Sequence, residues 1–353
     1  MSTLADAIGI VPGTAGFRAL SARIEPPASG LVRCRPVAVG CCGTDRALMT
    51  GRYGGPAYGH DDIITGHETV VCADEAAPGI TPGRWYALVV REPVATAPAP
   101  FRRSPHLAHD PAHFVERGLS GLDGGLRPAL RCAATSLVPL PDGLRPEQAV
   151  WVEPMACIVK AVRVFEHCWA GIAGGDDEVV ARAAIVLGAG SCGLLATALL
   201  RQHGFTVTAL DLAPATSSRA ALVRMLGADY VVGPSAPGPS VRLLFDACGS
   251  PSAVEHLTTR LGPTGGIVDF GIAEGAHATA DAVRRTTGNH FRIGSINAGR
   301  DDWRIAAEAV ARLAREHPAF FTRATAVVTG LDLAAMVAAL DDPSVVKPVV
   351  LPT

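Results

Sequence analysis

The first 155 residues contain a set of side chains that together could bind a metal ion. The run Val39–Gly51, "VGCCGTDRALMTG", holds two adjacent cysteines, "TGHETV" holds His67 and Glu68, and "WVEPMACIVK" holds Glu153. Thiolate, imidazole and carboxylate are donors that zinc takes, and a catalytic zinc site keeps one position open for water or substrate. Each residue alone has an ordinary structural explanation, such as a cysteine packed in a core. Together they predict a zinc site, without deciding between the two cysteines.

A glycine-rich turn in the second half of the chain predicts a nucleotide site. The run "GAGSCG" matches G-x-G-x-x-G, follows an apolar strand and opens a helix. Gly188 permits the tight turn, Gly190 lets the backbone approach a pyrophosphate, and Gly193 allows close packing of helix on strand. The free N–H groups of Ser191 and Cys192 at the helix start favour the phosphate charge. A simple structural turn is the alternative interpretation.

Asp211 predicts which dinucleotide binds. It ends the next predicted strand, 23 positions after Gly188 (211 minus 188). An acidic residue at this distance accepts hydrogen bonds from the adenosine ribose hydroxyls, and its charge repels a 2′-phosphate. No arginine or lysine follows until Arg219. We therefore expect NAD to be preferred over NADP, with a solvated turn residue as the alternative role for Asp211.

The elements that position these residues differ between the two halves of the chain. Residues 1–150 form short β segments broken by Gly and Pro, which favours a compact, barrel-like β domain. From about residue 155 the chain alternates apolar strands and helices, as in "ARAAIVLGAGSCGLLATALLRQHGFTVTALDLAP". Six such apolar runs in about 140 residues predict an α/β fold with a doubly wound parallel sheet.

The C-terminal segment and one insert complete this outline. After Asn297, "DDWRIAAEAVARLAREH" predicts a helix with Asp301 or Asp302 as its N-cap. The tail that follows is predicted as strand, helix and strand returning to the first domain. We thus predict a discontinuous catalytic domain, residues 1–155 and 301–353, around a dinucleotide-binding domain, residues 156–300. Residues 93–115 are predicted as one long irregular insert.

Composition excludes several classes of partner. The 353 residues are 48% hydrophobic and 18% charged, with a net charge of -2, which argues against nucleic acid and anionic membrane surfaces. The first 17 residues lack the basic and apolar regions of a signal peptide, and no run of 18 apolar residues occurs. Nine scattered cysteines favour reduced thiols. We expect a cytoplasmic protein that acts on a small molecule.

The chain resembles the zinc-dependent medium-chain dehydrogenase/reductase superfamily, and within it the prokaryotic glucose dehydrogenase branch. The resemblance covers nearly the whole chain. It rests on the following motifs: "CGTD" (Cys42–Asp45), "GHE" (Gly66–Glu68), "FVERGL" (Phe114–Leu119), "VEPMACIVKA" (Val152–Ala161), "GAGSCG" and "GSINAGRDDW" (Gly294–Trp303). It implies a GroES-like β-rich catalytic domain and a Rossmann domain.

The resemblance also implies a metal ligand set. The cysteine before Gly-Thr-Asp is the ligand in this superfamily, so Cys42 is expected to bind zinc and Cys41 to point into the core. His67 is the second ligand, and Glu68 and Glu153 are the acidic ligands, which exchange with water during turnover.

Further roles follow from the same resemblance. Thr44 is expected to lie near the substrate oxygen and to start a proton relay, and Asp45 to orient His67, as zinc-bound imidazoles require. Thr44, Asp45 and Glu68 are thus the catalytic candidates. Glu116 matches a contact to substrate hydroxyls, and Asn297 matches a residue near both nicotinamide and sugar.

Two departures from the branch narrow the expectation. Residues 91–115 contain no cysteine, so the second, structural zinc of many relatives is absent and one zinc per chain is expected. The insert offers His106, His109, Asp110 and His113, as exposed loop residues or, less favoured, as a replacement metal site. Around Asp211 the chain has "ALDLAP", where several relatives carry arginines for NADP.

The predicted reaction is hydride transfer between NAD and a secondary alcohol of a sugar or (amino)cyclitol, in a specialised pathway of secondary metabolism. A homodimer or homotetramer is the expectation from the family. A zinc-independent reductase of the same fold and an NAD-binding sensor are the alternatives, and both predict a broken Cys/His/Glu set.

Overall fold

Secondary structure is described for residues 5–14, 16–51, 53–174, 181–234, 238–271 and 290–352 of the computed structural model. The strands are β1 (Ala7–Ile10), β2 (Arg18–Leu20), β3 (Leu31–Gly40), β4 (Gly55–Ala57), β5 (Ile63–Ile64), β6 (Glu68–Ala73), β7 (Trp85–Leu88), β8 (Arg91–Pro93), β9 (Phe114–Arg117), β10 (Ser120–Leu122), β11 (Leu130–Ala133), β12 (Leu137–Pro139), β13 (Ala183–Leu187), β14 (Thr206–Asp211), β15 (Asp229–Val232), β16 (Val241–Asp246), β17 (Leu261–Asp269), β18 (Phe291–Gly294), β19 (Thr325–Thr329) and β20 (Lys347–Leu351). The α-helices are α1 (Gly43–Met49), α2 (Ala99–Arg103), α3 (Pro146–Ala149), α4 (Val152–Ala173), α5 (Ser191–Gln202), α6 (Ser218–Met225), α7 (Pro251–Leu257), α8 (Arg300–Glu316), α9 (Pro318–Ala324) and α10 (Leu333–Asp341).

One unit, Cys157–Ala298, carries the parallel sheet. All six predicted apolar runs form strands, β13 to β18, in the order β15-β14-β13-β16-β17-β18. Every neighbouring pair is parallel. The direction in which successive strands are added to the sheet reverses between β13 and β16. In doubly wound folds, ligands bind next to such a point, at the carboxyl ends of the strands. The predicted α/β class and Rossmann domain are therefore confirmed.

In the other unit, Met1–Ala156 with Gly299–Thr353, the described residues form three sheets. Its longest strand, β3, pairs with β6, β11 and β20. The pairing with β20 brings the last strand of the chain beside Val39 and Gly40, directly before the two cysteines. The unit limits, after Ala156 and before Gly299, differ slightly from the predicted limits, after residue 155 and before residue 301.

Two local predictions need correction. Gly299, not Asp301 or Asp302, is the N-cap of α8, and the Asp302 carboxylate accepts a hydrogen bond from its N–H at 2.9 Å. Asp302 thus caps the helix from its third position, because its side chain reaches back to the cap. The insert of residues 93–115 is also less irregular than predicted, since it contains α2 and two short 3₁₀ helices, Pro105–Leu107 and Pro111–His113.

None of the helices within the described ranges combines the length and the apolar character that crossing a bilayer requires.

Candidate functional site

Cys42 is held in place by the start of helix α1. As N-cap, its Sγ accepts a hydrogen bond from the Thr44 N–H at 3.3 Å, while the Asp45 carboxylate accepts one from the Cys42 N–H at 2.8 Å. This reciprocal cap satisfies two backbone donors at the helix end. The sequence Cys-Gly-Thr-Asp therefore orients the thiol through contacts between residues that are close in the chain.

The first group of possible metal ligands consists of Cys42, Asp45 and His67. The His67 Nε2 lies 3.3 Å from the Cys42 Sγ, and His67 is 5% exposed. Its Nδ1 is buried without a hydrogen-bond partner and lies 3.6 Å from the Asp45 Oδ1, which is too long for a hydrogen bond. Burial opposes protonation, yet the nearby Cys42 and Asp45 groups raise the pKa of His67 well above its usual value. Cys42 and Asp45 thus make this position electrostatically favourable for a cation.

The second group joins His67 to Glu68 and Glu153. One potential ligand atom from each of the three lies within 4.8 Å of the others. Burial raises the pKa of Glu153 to about 7, against the lowering effect of His67. Two carboxylates close together and largely out of water repel each other, and a cation relieves this repulsion. A thiol, an imidazole whose Nε2 lies 3.3 Å from that thiol, and two carboxylates fit zinc chemically.

Lys347 is a residue of this site that sequence reasoning missed. Its Nζ donates to Glu68 Oε1 at 2.7 Å and Oε2 at 2.5 Å, and Lys347 is 0% exposed. The ammonium also lies 5.3 Å from the centre of the Trp151 ring. A lone lysine in the apolar tail "VVKPVVL" was the available signal. The Glu68 carboxylate is therefore ion-paired with Lys347. To act as the predicted metal ligand and catalytic group, Glu68 must contact the metal ion and the Lys347 ammonium together.

The two adjacent cysteines have different surroundings. Cys41 is 2% exposed and packs in a core cluster with Val39, Ile64 and Leu126, as predicted. Burial raises the pKa of the Cys41 thiol well above its ordinary value, which disfavours the thiolate that binds metal. Cys42 is partly exposed and faces His67.

Glu116 lies on β9 and is tied to two neighbouring side chains. Arg91 donates to its Oε1 from Nε at 3.0 Å and from Nη2 at 2.7 Å, and the Tyr53 hydroxyl donates to its Oε2 at 2.5 Å. Its charge contributes to the raised pKa of Glu153, so the two carboxylates lie in electrostatic range of each other. Sequence analysis named Glu116 alone. Arg91 and Tyr53 carried no recognisable signal.

The glycine turn has the geometry that its sequence predicts. Gly188 adopts a φ of 90°, in the left-handed region that favours glycine. A Cβ on Gly193 would lie 1.8 Å from the Gly188 carbonyl oxygen, so only glycine lets α5 pack this closely on β13. A Cβ on Gly190 would meet no described atom within 4 Å, which leaves room for a ligand beside the backbone. Ser191 and Cys192 begin α5, with Gly190 as N-cap.

Asp211 lines a cavity of about 540 Å³ with Gly188, Arg219, Cys248 and His256 among its other residues. Its Oδ2 accepts from the Ala189 N–H at 2.6 Å, and its Oδ1 accepts from the Ala213 N–H at 2.8 Å. The Arg219 Nη1 lies 3.6 Å from Asp211 Oδ2. The absence of a basic residue between Asp211 and Arg219 in the sequence predicts a carboxylate without a neighbouring cation. That prediction is wrong, because helix α6 brings Arg219 back to the carboxylate.

Asn297 lies in the parallel-sheet unit, shortly after β18, and adopts a left-handed φ of 62°. Asparagine tolerates this conformation better than most residues. The Lys160 Nζ donates to the Ile296 carbonyl oxygen at 2.8 Å and so ties this segment to α4.

The histidines of the insert do not meet as a metal site. His109 is exposed, and His113 stacks on Phe101 with ring centres 5.3 Å apart. Over the described ranges, the groups of three potential ligands are the two at Cys42 to Glu153, and neither includes His106, His109, Asp110 or His113.

Comparison with known proteins places these features in a family. Residues 146–350 match the family model described as "Glucose dehydrogenase C-terminus". Glucose 1-dehydrogenase of Thermoproteus tenax is 32% identical over 307 residues, covering 83% of this chain and 84% of that protein. Glucose 1-dehydrogenase 1 of Caldivirga maquilingensis is 32% identical over 77% of each chain.

Solved structures share the whole fold. Glucose dehydrogenase of Haloferax mediterranei, in complex with NADP, Zn and gluconolactone, superposes with a TM-score of 0.87 over 98% of each chain, at 23% identity. Galactitol-1-phosphate dehydrogenase of Escherichia coli gives a TM-score of 0.77 at 20% identity, over 98% of this chain and 99% of that one.

Proposed function

We propose a function from the family to which this chain belongs, the glucose dehydrogenase branch of the medium-chain dehydrogenase/reductase superfamily, whose members are NAD(P)-dependent enzymes. In this proposal the protein transfers hydride between NAD and a secondary alcohol of a sugar or (amino)cyclitol, using one zinc ion per chain. The observation that carries this proposal is the pair of ligand groups that share His67, one with Cys42 and Asp45 and one with Glu68 and Glu153; within each group the potential ligand atoms lie within 4.8 Å of one another.

The chain's own side chains have distinct roles in this proposal. Cys42 and His67 hold the metal, with Glu68 and Glu153 as the acidic ligands that can give way to water or substrate. When bound, zinc supplies Lewis acidity and the nicotinamide supplies the hydride chemistry.

Thr44 and Asp45 support the reaction at the start of helix α1. We assign the Thr44 hydroxyl to the first step of proton removal from the substrate alcohol. Asp45 orients His67, a positioning role supported by the Asp45 carboxylate near Nδ1 and its anchoring on the Cys42 N–H. Approach by less than 1 Å would turn the 3.6 Å separation into a hydrogen bond, of the kind that metal-bound imidazoles generally make.

The cofactor assignment rests on charge at the ribose end of the cavity. The Asp211 carboxylate repels a 2′-phosphate, so NAD should be used better than NADP. Arg219, 3.6 Å away, offsets part of that repulsion, and we therefore expect a moderate preference. Gly188, Gly190, Gly193, Ser191 and Cys192 would bind the pyrophosphate, and Asn297 would lie near the nicotinamide.

A polyhydroxylated substrate is supported by Glu116 and by the sugar dehydrogenases among the relatives. A site built to hold hydroxyl groups strongly rejects analogues that lack them, because its buried polar groups are then unpaired. The proposed substrate is an aminocyclitol or a modified sugar. The proposed assembly is a homodimer or a homotetramer.

The test is an assay of NAD and NADP reduction with hexoses, inositols and deoxy-aminocyclitols, together with elemental analysis of the purified protein. We expect one zinc per chain and zinc-dependent oxidation of at least one of these alcohols. Full activity after removal of zinc would instead identify a zinc-independent reductase. Tight NAD binding without turnover of any alcohol would identify an NAD-binding sensor, and about two zinc ions per chain would contradict the single-site assignment.

A further inference from the structure

The loop of residues 123–127, with the sequence "DGGLR", packs on the backbone that leads into His67. Three consecutive N–H groups of this loop donate to the three consecutive carbonyl oxygens of residues 64–66, at distances of 2.7 to 3.0 Å. The hydrogen-bonded pairs are Gly124 with Ile64, Leu126 with Thr65, and Gly125 with Gly66. The 123–127 loop is therefore bonded to the residues immediately before a proposed zinc ligand.

Two glycines let the 123–127 loop lie this close. A Cβ on Gly124 would lie 2.3 Å from the Thr65 carbonyl oxygen, and a Cβ on Gly125 would lie 2.2 Å from the Thr69 Oγ1. Both distances are shorter than any that real Cβ atoms show. A side chain at either position would therefore push the loop away from the backbone that precedes His67.

The peptide group between Gly66 and His67 is held by two donors. Its carbonyl oxygen accepts from the Gly125 N–H at 2.8 Å and from the Thr69 hydroxyl at 3.0 Å. A carbonyl oxygen has two lone pairs, so both acceptor positions are filled. Because the Cα of His67 lies in the plane of this peptide, the two donors set the position from which the His67 ring extends towards Cys42.

Arg127 holds the 123–127 loop in this shape. It is 1% exposed, and it donates to the Gly124 carbonyl oxygen from Nε at 2.9 Å and to the Asp123 carbonyl oxygen from Nη2 at 3.2 Å. It also donates to Glu25 Oε1 at 2.6 Å and to the Arg23 carbonyl oxygen. The guanidinium carries its donors in a rigid planar fork, which the point charge of a lysine cannot reproduce.

We propose that the 123–127 loop positions His67 for zinc, and that Arg127 is the positioning residue that holds the loop. Arg127 fixes the Gly124 carbonyl, and the neighbouring Gly125 N–H fixes the peptide before His67. A zinc–nitrogen bond is only about 2.0–2.1 Å long, so a displaced ring binds the metal more weakly. The inference rests on the proposed function, because His67 must be a zinc ligand for the loop to act on the metal.

The test uses two variants that loosen the Gly66–His67 peptide in different ways. Arg127→Lys keeps the positive charge and removes the planar fork. Thr69→Val keeps the shape of the side chain and removes one of the two donors to the Gly66 carbonyl oxygen. The second variant is the milder one, since it removes a single hydroxyl.

Each variant has a matched control nearby. Arg131→Lys makes the same substitution at an arginine whose side chain pairs instead with Glu75, at 3.1 Å. Thr65→Val removes a buried hydroxyl like that of Thr69, but the Thr65 Oγ1 is directed at the Ile8 carbonyl oxygen, at 3.5 Å. Neither control removes a hydrogen bond to the peptide before His67.

The measured quantity is the zinc dissociation constant of each purified zinc-bound protein, from competition with a chromogenic zinc chelator. The measurement is made well below the melting temperature of each variant, so that only folded protein competes for the metal. Melting temperatures are measured on metal-free protein, because bound zinc itself raises stability. A residue that only supports the fold changes the melting temperature and leaves the zinc affinity of the folded protein unchanged.

We expect Arg127→Lys to weaken zinc binding by about ten-fold, the lower limit for groups that orient a metal ligand. Thr69→Val should weaken it by about two- to ten-fold, as loss of one hydrogen bond implies. Arg131→Lys and Thr65→Val should leave zinc binding unchanged.

Two results would overturn the inference alone. Unchanged zinc affinity in folded Arg127→Lys would mean that the loop supports only the fold, and if that variant does not fold, unchanged affinity in Thr69→Val has the same meaning. Equal losses in the two controls would mean a general loosening of the unit rather than positioning of His67. Unmodified protein that binds no zinc would instead refute the proposed function, and this inference with it.

Discussion

Replacing Lys347 with methionine should destabilise the β-rich unit by about 3–5 kcal/mol, the usual cost of breaking a buried ion pair from one side. Lys347 is 0% exposed and Glu68 is 2% exposed, so solvent cannot replace the lost contact. The Lys347 ammonium donates to both oxygens of Glu68, at 2.7 and 2.5 Å. Methionine matches the length of the lysine stem but leaves the carboxylate without its counter-charge.

A surface pair and a double variant isolate the cause. Arg84 pairs with Asp142 at 2.7 Å, but the side chains are 51% and 94% exposed, so Arg84→Met should cost at most about 1 kcal/mol. The double variant Glu68→Gln/Lys347→Met removes both charges. It should recover much of the loss, because two neutral side chains escape the penalty of an unpaired buried charge.

The assay is urea unfolding of metal-free protein, so that zinc binding does not add to the measured stability. Elemental analysis of the same variants gives their zinc content. A Lys347→Met loss no larger than that of Arg84→Met would refute the reasoning. A double variant as unstable as Lys347→Met alone would show that the loss comes from packing rather than from charge.

Three other predictions concern the ligands, the cofactor and acid stability. Cys42→Ser should lose most of the zinc, whereas Cys41→Ala should keep the zinc and lower the free energy of unfolding by about 1 kcal/mol. If elemental analysis gives the reverse result, Cys41 rather than Cys42 is the zinc ligand. Asp211→Ala should reduce the ratio of kcat/KM for NAD to kcat/KM for NADP, and Arg219→Ala should increase that ratio. Equal or better use of NADP by the unmodified protein would contradict the predicted preference for NAD. Burial alone would raise the pKa of Asp123, but the hydrogen bonds that its carboxylate accepts have the larger effect and lower the pKa. The ionised Asp123 therefore stabilises the folded protein above pH ~4, and this stabilisation is lost as the pH falls through the lowered pKa. Asp123→Asn should flatten this acid dependence of the urea midpoint, and an unchanged pH profile would count against it.

The sequence alone determined the features that depend on neighbouring residues. The six apolar runs became the six parallel strands because strand and helix patterning is local. The glycine turn needs Gly188 and Gly193 only five positions apart, and their backbone geometry follows from the missing Cβ. The reciprocal cap of Cys42 and Asp45 spans three positions, and the burial of Cys41 follows from its place after β3.

Tertiary structure decided the partners that are distant in the chain. Lys347 and Glu68 are 279 positions apart, and Tyr53 and Glu116 are 63 apart, so no local pattern could pair them. The pairing of β20 with β3 brings the tail of the chain beside the strand that leads into the metal ligands. Arg219 is close to Asp211 in sequence, but only the turn into α6 directs it back to the carboxylate. Residue types and short spacings thus predicted which groups could do the chemistry, whereas long-range packing set their charge partners, because electrostatic and hydrogen-bond contacts depend on distance in space rather than along the chain.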